Sequence, residues 1–115
     1  MTTIYHNPRC SKSRQTLSLL EEKGLTPTIV LYLKTPPTKT ELRTLLTQLA
    51  ISARQLLRKN EACYRTLNLE DPTLNDEDII TVMAENPKLI ERPIVVHKDK
   101  AVIGRPPESI EQLFT

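Results

Sequence analysis

The sequence predicts an α/β fold with a four-stranded mixed sheet, and three observations carry this prediction. The N-terminal third shows strand, helix and strand within about 30 residues, the pattern of a βαβ unit. The C-terminal quarter has two short apolar runs around a polar turn, which predicts a β-hairpin. The segment between them, about residues 38–90, has helical periodicity and capping residues. A chain of 115 residues builds one hydrophobic core, so we expect a single domain, 1–115, with a central helical insert.

Composition favours a soluble globular protein and excludes several classes. Hydrophobic residues make up 38% and charged residues 26% of the chain, as in folded proteins rather than disordered ones. No apolar run approaches the roughly 20 residues that span a bilayer, and residues 1–5 lack the regions of a signal peptide. A net charge of +2 is too small by itself to indicate nucleic-acid binding. We therefore expect a cytoplasmic protein with reduced thiols and no membrane or nucleic-acid partner. A monomer is a separate expectation that composition does not decide.

The N-terminal unit begins with a short strand at residues 3–5. Asn7-Pro8 is a turn signal in the loop that follows. A helix is predicted over about 11–23, with Gly24 as its C-terminal cap. Residues 28–33 are a continuous apolar run, which predicts a buried parallel strand.

The middle of the chain is predicted to be helical. Thr38 and Glu41 have the spacing of a capping box, and leucines follow at helical intervals. Ser52 and Asn75 are predicted to cap two further helices, with one more turn or two over 61–67.

The end of the chain returns to the sheet. Residues 94–96 and 101–103 are predicted strands that flank the polar turn 97–100. Pro107 suits the first position of a last helix. The resulting order, βαβ, then helices, then ββα, is that of a thioredoxin-like fold.

Cys10 is the candidate catalytic residue. It stands where the first loop enters the first helix, and backbone N–H groups are left without intrahelical partners there. No acid occurs in residues 1–20, whereas Arg9, Lys12 and Arg14 surround the cysteine. The helix dipole and these cations favour the thiolate, which is the reactive form of a thiol.

Neighbouring residues restrict the kind of thiol chemistry. Ser13 can donate a hydrogen bond to the sulfur from one turn on, and His6 can donate a bond or carry a proton. Because Ser13 replaces the second thiol of a Cys-x-x-Cys centre, an external thiol must resolve any disulfide of Cys10. Thr16 excludes the Cys-x5-Arg loop of phosphatases. Cys63 lies in helical sequence without a motif, which favours a structural thiol, and no metal-ligand spacing exists.

Three arginines outside the loop are candidates for binding an oxyanion. Arg58 ends an apolar helix face, Arg92 precedes a strand, and Arg105 follows a glycine. A guanidinium group can bind a tetrahedral oxyanion through paired hydrogen bonds. From the pattern alone, each arginine can equally be a solvated surface residue.

The ordered motifs of the chain resemble those of the glutaredoxin-dependent arsenate reductases, the ArsC family. Residues 5–14 (Tyr-His-Asn-Pro-Arg-Cys-Ser-Lys-Ser-Arg) resemble the active-site loop of that family. Later blocks that resemble it, in order, are residues 29–37, 56–60, 91–96 and 104–106. The resemblance covers nearly the whole chain and is to a short branch of the family, without the longer C-terminal tail of other members.

The resemblance implies a role for each candidate. Cys10 is expected to attack arsenic, and the Arg92–Pro93 bond is expected to be cis. The residues expected to hold arsenate are Arg58, Arg92 and Arg105, and those expected to support the thiolate are His6 and Ser13. Glutathione, the implied co-substrate, is expected to attack the adduct, and glutaredoxin to complete reduction to arsenite. No bound cofactor or metal is expected.

Two other functions stay open at this point. One is a glutathione-linked thiol oxidoreductase that acts on another oxyanion or on protein mixed disulfides. The other is an Spx-like regulator that binds RNA polymerase. Such regulators often use a Cys-x-x-Cys switch, which Ser13 removes, so arsenate reduction is our first hypothesis.

Overall fold

The computed structural model describes residues 1–114 and divides into two compact units. The first unit combines residues 1–35 with the chain from residue 92 onward, and the second is formed by residues 36–91. The sheet lies in the first unit, and the second unit is helical. That the chain is one domain stays a prediction.

The first unit contains the four-stranded mixed sheet that the sequence predicts. Its strands are β1 (Thr2–Tyr5), β2 (Thr28–Val30), β3 (Ile94–His97) and β4 (Lys100–Ile103). Their order is β2-β1-β3-β4. The β1–β2 pair is parallel, and the β1–β3 and β3–β4 pairs are antiparallel. The predicted sheet is therefore confirmed.

Strand β2 differs from its prediction in length and in burial. The apolar run 28–33 is predicted to be a buried strand, but the strand ends at Val30 and the carbonyl of Leu31 accepts two hydrogen bonds of a turn. The strand lies at the edge of the sheet, and the Ile29 side chain is 47% exposed. The prediction was wrong because an apolar run does not reveal whether its strand lies at the edge or in the centre.

Helix α1 (Ser11–Glu22) connects β1 to β2 and covers the sheet. Gly24 has a φ of 81°, which confirms its role after the helix end. The core of this unit consists of Ile4, Leu20, Val95 and Ile110. The last helix begins at Pro107 as predicted, but it is a 3-10 helix, Pro107–Leu113.

The β3–β4 hairpin is tighter than predicted. His97 and Lys100 pair with each other, so only Lys98 and Asp99 form the turn. Lys98 has a φ of 57°, the left-handed conformation that two-residue hairpin turns use.

The second unit contains four α-helices, and the predicted capping residues begin three of them. These helices are α2 (Lys39–Leu49), α3 (Ala53–Leu56), α4 (Ala62–Thr66) and α5 (Asp76–Glu85). Thr38, Ser52 and Asn75 each form a capping box, at the starts of α2, α3 and α5. A 3-10 turn, Pro87–Leu89, follows α5. Within residues 1–114, no helix is long and apolar enough to cross a bilayer.

Candidate active site

Cys10 lies at the junction between the first loop and α1, as the sequence predicts. It is the N-cap residue of that helix, with an extended backbone (φ −93°, ψ 122°). Its N–H donates to the carbonyl of Asn7 at 3.0 Å, and its carbonyl accepts from the N–H of Arg14 at 3.0 Å. The residue is 8% exposed and its thiol is free. The main chain therefore holds Cys10 on both sides.

The sulfur of Cys10 contacts a guanidinium group. Nη2 of Arg105 donates to Sγ over 3.5 Å, and Nε of the same group donates to the carbonyl of Arg92 over 2.7 Å. Within the described residues, the Cys10 side chain makes no capping hydrogen bond to the first turn of α1. Hydrogen bonds from a cation to an anion are stronger than neutral ones, so Arg105 is placed to stabilise negative charge on the sulfur.

His6 and Ser13, the predicted supports of the thiolate, contact each other. The hydroxyl of Ser13 lies 2.5 Å from Nδ1 of His6 and accepts the N–H of Asn7 at 3.0 Å. Both side chains are buried. Burial lowers the pKa of His6 below its usual 6.5, and the charge of Arg14 lowers it further, so both favour the neutral imidazole. This contact orders the loop before Cys10, and a direct role in supporting the thiolate stays a prediction.

The three cations beside Cys10 in the sequence are exposed. They are Arg9, Lys12 and Arg14. Nη1 of Arg14 donates to the carbonyl of Pro8 at 2.8 Å. These charges are therefore available to solutes that approach the loop.

Arg92 and Arg105 each precede a cis-proline. The Arg92–Pro93 bond is cis, which confirms the prediction, and the Arg105–Pro106 bond is also cis, which the sequence analysis did not predict. Nε and Nη1 of Arg92 are buried. The two arginines are joined by the bond from Nε of Arg105 to the Arg92 carbonyl, so both belong to the region that contacts Cys10.

Arg58 lies in the second unit, after α3. Its Nη1 is 2.6 Å from Oε1 of Glu61, and its Nε is 3.6 Å from Oε1 of Glu91. Its N–H donates to the carbonyl of Leu89 at 2.8 Å. The guanidinium is thus bound by two carboxylates of its own unit, and its predicted role in holding an oxyanion stays a prediction.

Cys63 lies within α4 and is half-buried. Its thiol is free. No group of three or more His, Cys, Asp or Glu side chains in residues 1–114 could hold a metal ion.

The sequence analysis missed the contact between Arg105 and the sulfur. The family resemblance implied that Arg105 holds the arsenate that Cys10 attacks, and the string Gly104-Arg105-Pro106-Pro107 marks an arginine in a constrained turn. Nothing in that string shows which residue the guanidinium contacts.

The family model described as the ArsC family matches residues 5–113. The chain belongs to the ArsC family. The Escherichia coli K12 protein named Uncharacterized protein YfgD is 56% identical over 111 residues, 96% of this chain and 93% of its own length. An arsenate reductase of Neisseria meningitidis is 47% identical over 112 residues, 96% of each chain. The solved structure of the arsenate reductase from Vibrio cholerae has a TM-score of 0.95 and 49% identity, and covers 96% of this chain and 95% of that one.

Membership of the ArsC family confirms the resemblance that the sequence motifs indicate. It also confirms the thioredoxin-like fold, since the structural relatives superpose over nearly their whole length. The relatives named arsenate reductases include proteins that are 44–49% identical to this chain. They support the predicted oxidoreductase class for this ArsC-family chain.

Proposed function

We propose that this chain is an arsenate reductase in which Cys10 is the nucleophile, glutathione the co-substrate and glutaredoxin the reducing partner. The observation that carries the proposal is the guanidinium of Arg105, 3.5 Å from Sγ of Cys10. A thiolate nucleophile and an arsenate oxyanion both require positive charge at this point. The family relatives named arsenate reductases support arsenate as the substrate, and the cytoplasm supplies the reducing thiols.

In the first step, the sulfur of Cys10 attacks As(V). A sulfur–arsenic bond forms, one arsenic–oxygen bond breaks, and the departing oxygen leaves as water after protonation. Arsenic keeps its oxidation state in this step. We expect Arg105 to stabilise first the thiolate and then the oxygens of the adduct, and its bonds to the sulfur and to the Arg92 carbonyl support this role.

The second step brings in glutathione. Its thiol attacks the arsenic of the Cys10 adduct, so a second sulfur–arsenic bond forms and a second water leaves. An external thiol is needed because position 13 is a serine whose hydroxyl is bonded to His6, and it offers no second sulfur.

The third step is the reduction itself. A glutaredoxin thiolate attacks the glutathione sulfur, forming a disulfide bond and breaking the bond from that sulfur to arsenic. The electron pair stays on arsenic, which becomes As(III), and the thiol proton passes to an oxygen on arsenic. Water then hydrolyses the remaining bond to Cys10 and releases arsenite. The net reaction converts arsenate and two thiols into arsenite, one mixed disulfide and water.

The family resemblance adds Arg58 and Arg92 to the residues that hold the oxyanion. For Arg92, a second argument is its position next to Arg105, whose Nε bonds to its carbonyl. For Arg58, the supporting argument is chemical: a guanidinium already placed between two carboxylates is a site where an oxyanion can exchange for one of them.

The proposal is tested by arsenate-dependent NADPH consumption coupled through glutathione reductase, glutathione and glutaredoxin. We expect turnover with the wild type and with Cys63→Ser, and no turnover above background with Cys10→Ser. Omission of glutaredoxin should abolish arsenite release. If the wild type shows no more turnover than Cys10→Ser, the proposal is wrong. Turnover with a protein mixed disulfide but none with arsenate would favour the second hypothesis instead.

A further inference from the structure

The backbone of Gly104 lies directly against Thr16 of α1. A Cβ atom at position 104 would lie 2.5 Å from Oγ1 and 3.0 Å from Cγ2 of Thr16, and 2.9 Å from Cγ of Pro93. Atoms in a close-packed interior cannot approach so closely without a shift of the chain. The atoms around position 104 therefore leave no room for a side chain larger than that of glycine.

The same contact is buried and hydrogen-bonded. Thr16 is fully buried, and its Oγ1 donates to the carbonyl of Lys12 at 2.8 Å and lies 3.4 Å from the carbonyl of Gly104. The N–H of Gly104 donates to the carbonyl of Pro93 at 2.9 Å. Gly104 is thus held between α1 on one side and the residue before β3 on the other.

The two residues of this contact are connected through the chain to Cys10 and to Arg105, the groups proposed to attack and to bind the substrate. Thr16 belongs to the helix whose N-cap is Cys10. Gly104 immediately precedes Arg105, whose Nη2 contacts the Cys10 sulfur. We propose that Thr16 and Gly104 are positioning residues, whose contact sets the distance between the Arg105 guanidinium and the sulfur. This inference rests on the proposed role of Arg105 at Cys10.

The position of Arg105 depends on Gly104 because its own backbone has little freedom. Its N–H donates to the carbonyl of Ile103 at 2.8 Å, and its Nε is bonded to the Arg92 carbonyl. A chain that moves away from Thr16 by a few tenths of an ångström carries the guanidinium with it. The guanidinium donates to the sulfur over 3.5 Å, and a displacement that lengthens this distance or bends the bond weakens it.

The test is the alkylation rate of Cys10 by iodoacetamide at about pH 6.5, where an ordinary cysteine is almost wholly protonated. Peptide mass spectrometry reads the rate without any substrate. We expect Gly104→Ala and Arg105→Gln each to slow alkylation about tenfold, because each change costs the sulfur one charge-assisted hydrogen bond. The double variant Gly104→Ala/Arg105→Gln should react no more slowly than Arg105→Gln alone.

A control and a rescue accompany this test. Gly24→Ala is the matched control, since Gly24 has a positive φ but no atom within 4 Å of an added Cβ. It should lower stability and leave the alkylation rate unchanged. Thr16→Ala removes two of the three atoms that an alanine at position 104 would meet. Because the contact with Cγ of Pro93 at 2.9 Å remains, the double variant Thr16→Ala/Gly104→Ala should recover part of the lost rate: its slowing relative to Thr16→Ala should be smaller than that of Gly104→Ala relative to the wild type. It serves also if Gly104→Ala does not fold.

Three results would overturn the inference. The first is a folded Gly104→Ala protein that reacts at the wild-type rate. The second is an equal slowing by Gly104→Ala in the Arg105→Gln background. The third is a slowing by Gly104→Ala in the Thr16→Ala background that is as large as in the wild-type background. A protein that shows the expected pattern but reduces no arsenate would uphold the positioning role while the proposed function fails.

Discussion

The shape of the Arg105 side chain, as well as its charge, bears on the reactivity of Cys10. Nε of the guanidinium donates to the Arg92 carbonyl, and Nη2 donates to the sulfur of Cys10. Lysine carries the same charge on a single nitrogen and cannot reproduce this fork. Replacing Arg105 with lysine therefore separates the effect of its charge from the effect of its hydrogen-bond geometry.

We predict that Arg105→Lys lowers kcat/KM for arsenate about tenfold, which corresponds to the loss of one charge-assisted hydrogen bond. The coupled NADPH assay measures this value. Arg9→Lys is the control, because Arg9 is exposed at the same loop. An Arg105→Lys enzyme as active as the wild type would show that the charge alone is sufficient.

His6 makes the stability of the protein depend on pH. Burial and the charge of Arg14 hold its pKa below 6.5 in the folded state. The unfolded chain therefore binds more protons than the folded one just below pH 6.5, so the free energy of unfolding decreases as the pH falls. The contribution of His6 is complete above 6.5 and is lost as the pH falls through the lowered value. His97 acts in the same direction, since burial, the N-terminal amine and Lys98 lower its pKa too.

We predict that His6→Asn reduces the slope of unfolding free energy against pH below about pH 6.5 and leaves it unchanged at higher pH. Asparagine places a polar atom near the position of Nδ1 and can keep the contact to Ser13. His97→Asn is the companion variant and should also reduce the slope, since the pKa of His97 is lowered too and its Nδ1 bonds to Thr2 at 2.8 Å. The two variants report the two contributions separately, and an unchanged slope in His6→Asn would contradict the prediction.

At the scale of the elements, the side chain of Arg54 connects α3 to the segment between α4 and α5. From α3, its guanidinium donates to the carbonyls of Leu69, Asp71 and Leu74 at 2.8, 2.6 and 3.3 Å. These carbonyls lie in the segment between α4 and α5. Arg54 therefore supplies backbone partners to a segment that has no regular secondary structure.

We predict that Arg54→Met lowers the free energy of unfolding by about 2 kcal/mol, because bonds from a charged donor to the backbone are lost while the apolar stem is kept. Urea denaturation measures the change, and hydrogen exchange of residues 69–74 should accelerate. Arg65→Met is the control, since Arg65 is exposed on α4. Equal stability of the two variants would contradict this account.

The starts of the helices were predictable from sequence, whereas the character of β2 was not. Thr38, Ser52 and Asn75 form capping boxes with residues three positions on, so the signal is local. Whether β2 lies at the edge depends on which strands pair, and this is decided by residues far along the chain. The 3-10 form of the last helix is likewise not indicated by Pro107.

The candidate site shows the same division between local and distant information. Cys10 at the start of α1 follows from its own loop, and the Arg92–Pro93 cis bond follows from the family resemblance. The contact from Arg105 to Cys10 joins residues 95 positions apart, and no local pattern contains it. In the sequence, Thr16 indicates only that the arginine of a phosphatase loop is absent. In the fold, its side chain lies against Gly104.

At the scale of the whole molecule, the proposed chemistry requires thiols from other molecules. Position 13, where a dithiol centre would hold its second sulfur, is a serine that is bonded to His6. In the proposed mechanism the chain supplies the nucleophile and the positive charge, and glutathione and glutaredoxin supply the two electrons. The central claim is therefore that arsenate binds next to Cys10 and reacts with its sulfur.

That claim is tested most directly by alkylating the wild-type protein at increasing arsenate concentrations and following both cysteines in each sample. The two thiols are free, and Cys63 is the internal control. We predict that arsenate slows the labelling of Cys10 in a saturable way, leaves Cys63 unaffected, and protects less well in Arg105→Gln. Labelling of Cys10 that is independent of arsenate, or equal slowing of both cysteines, would contradict the account.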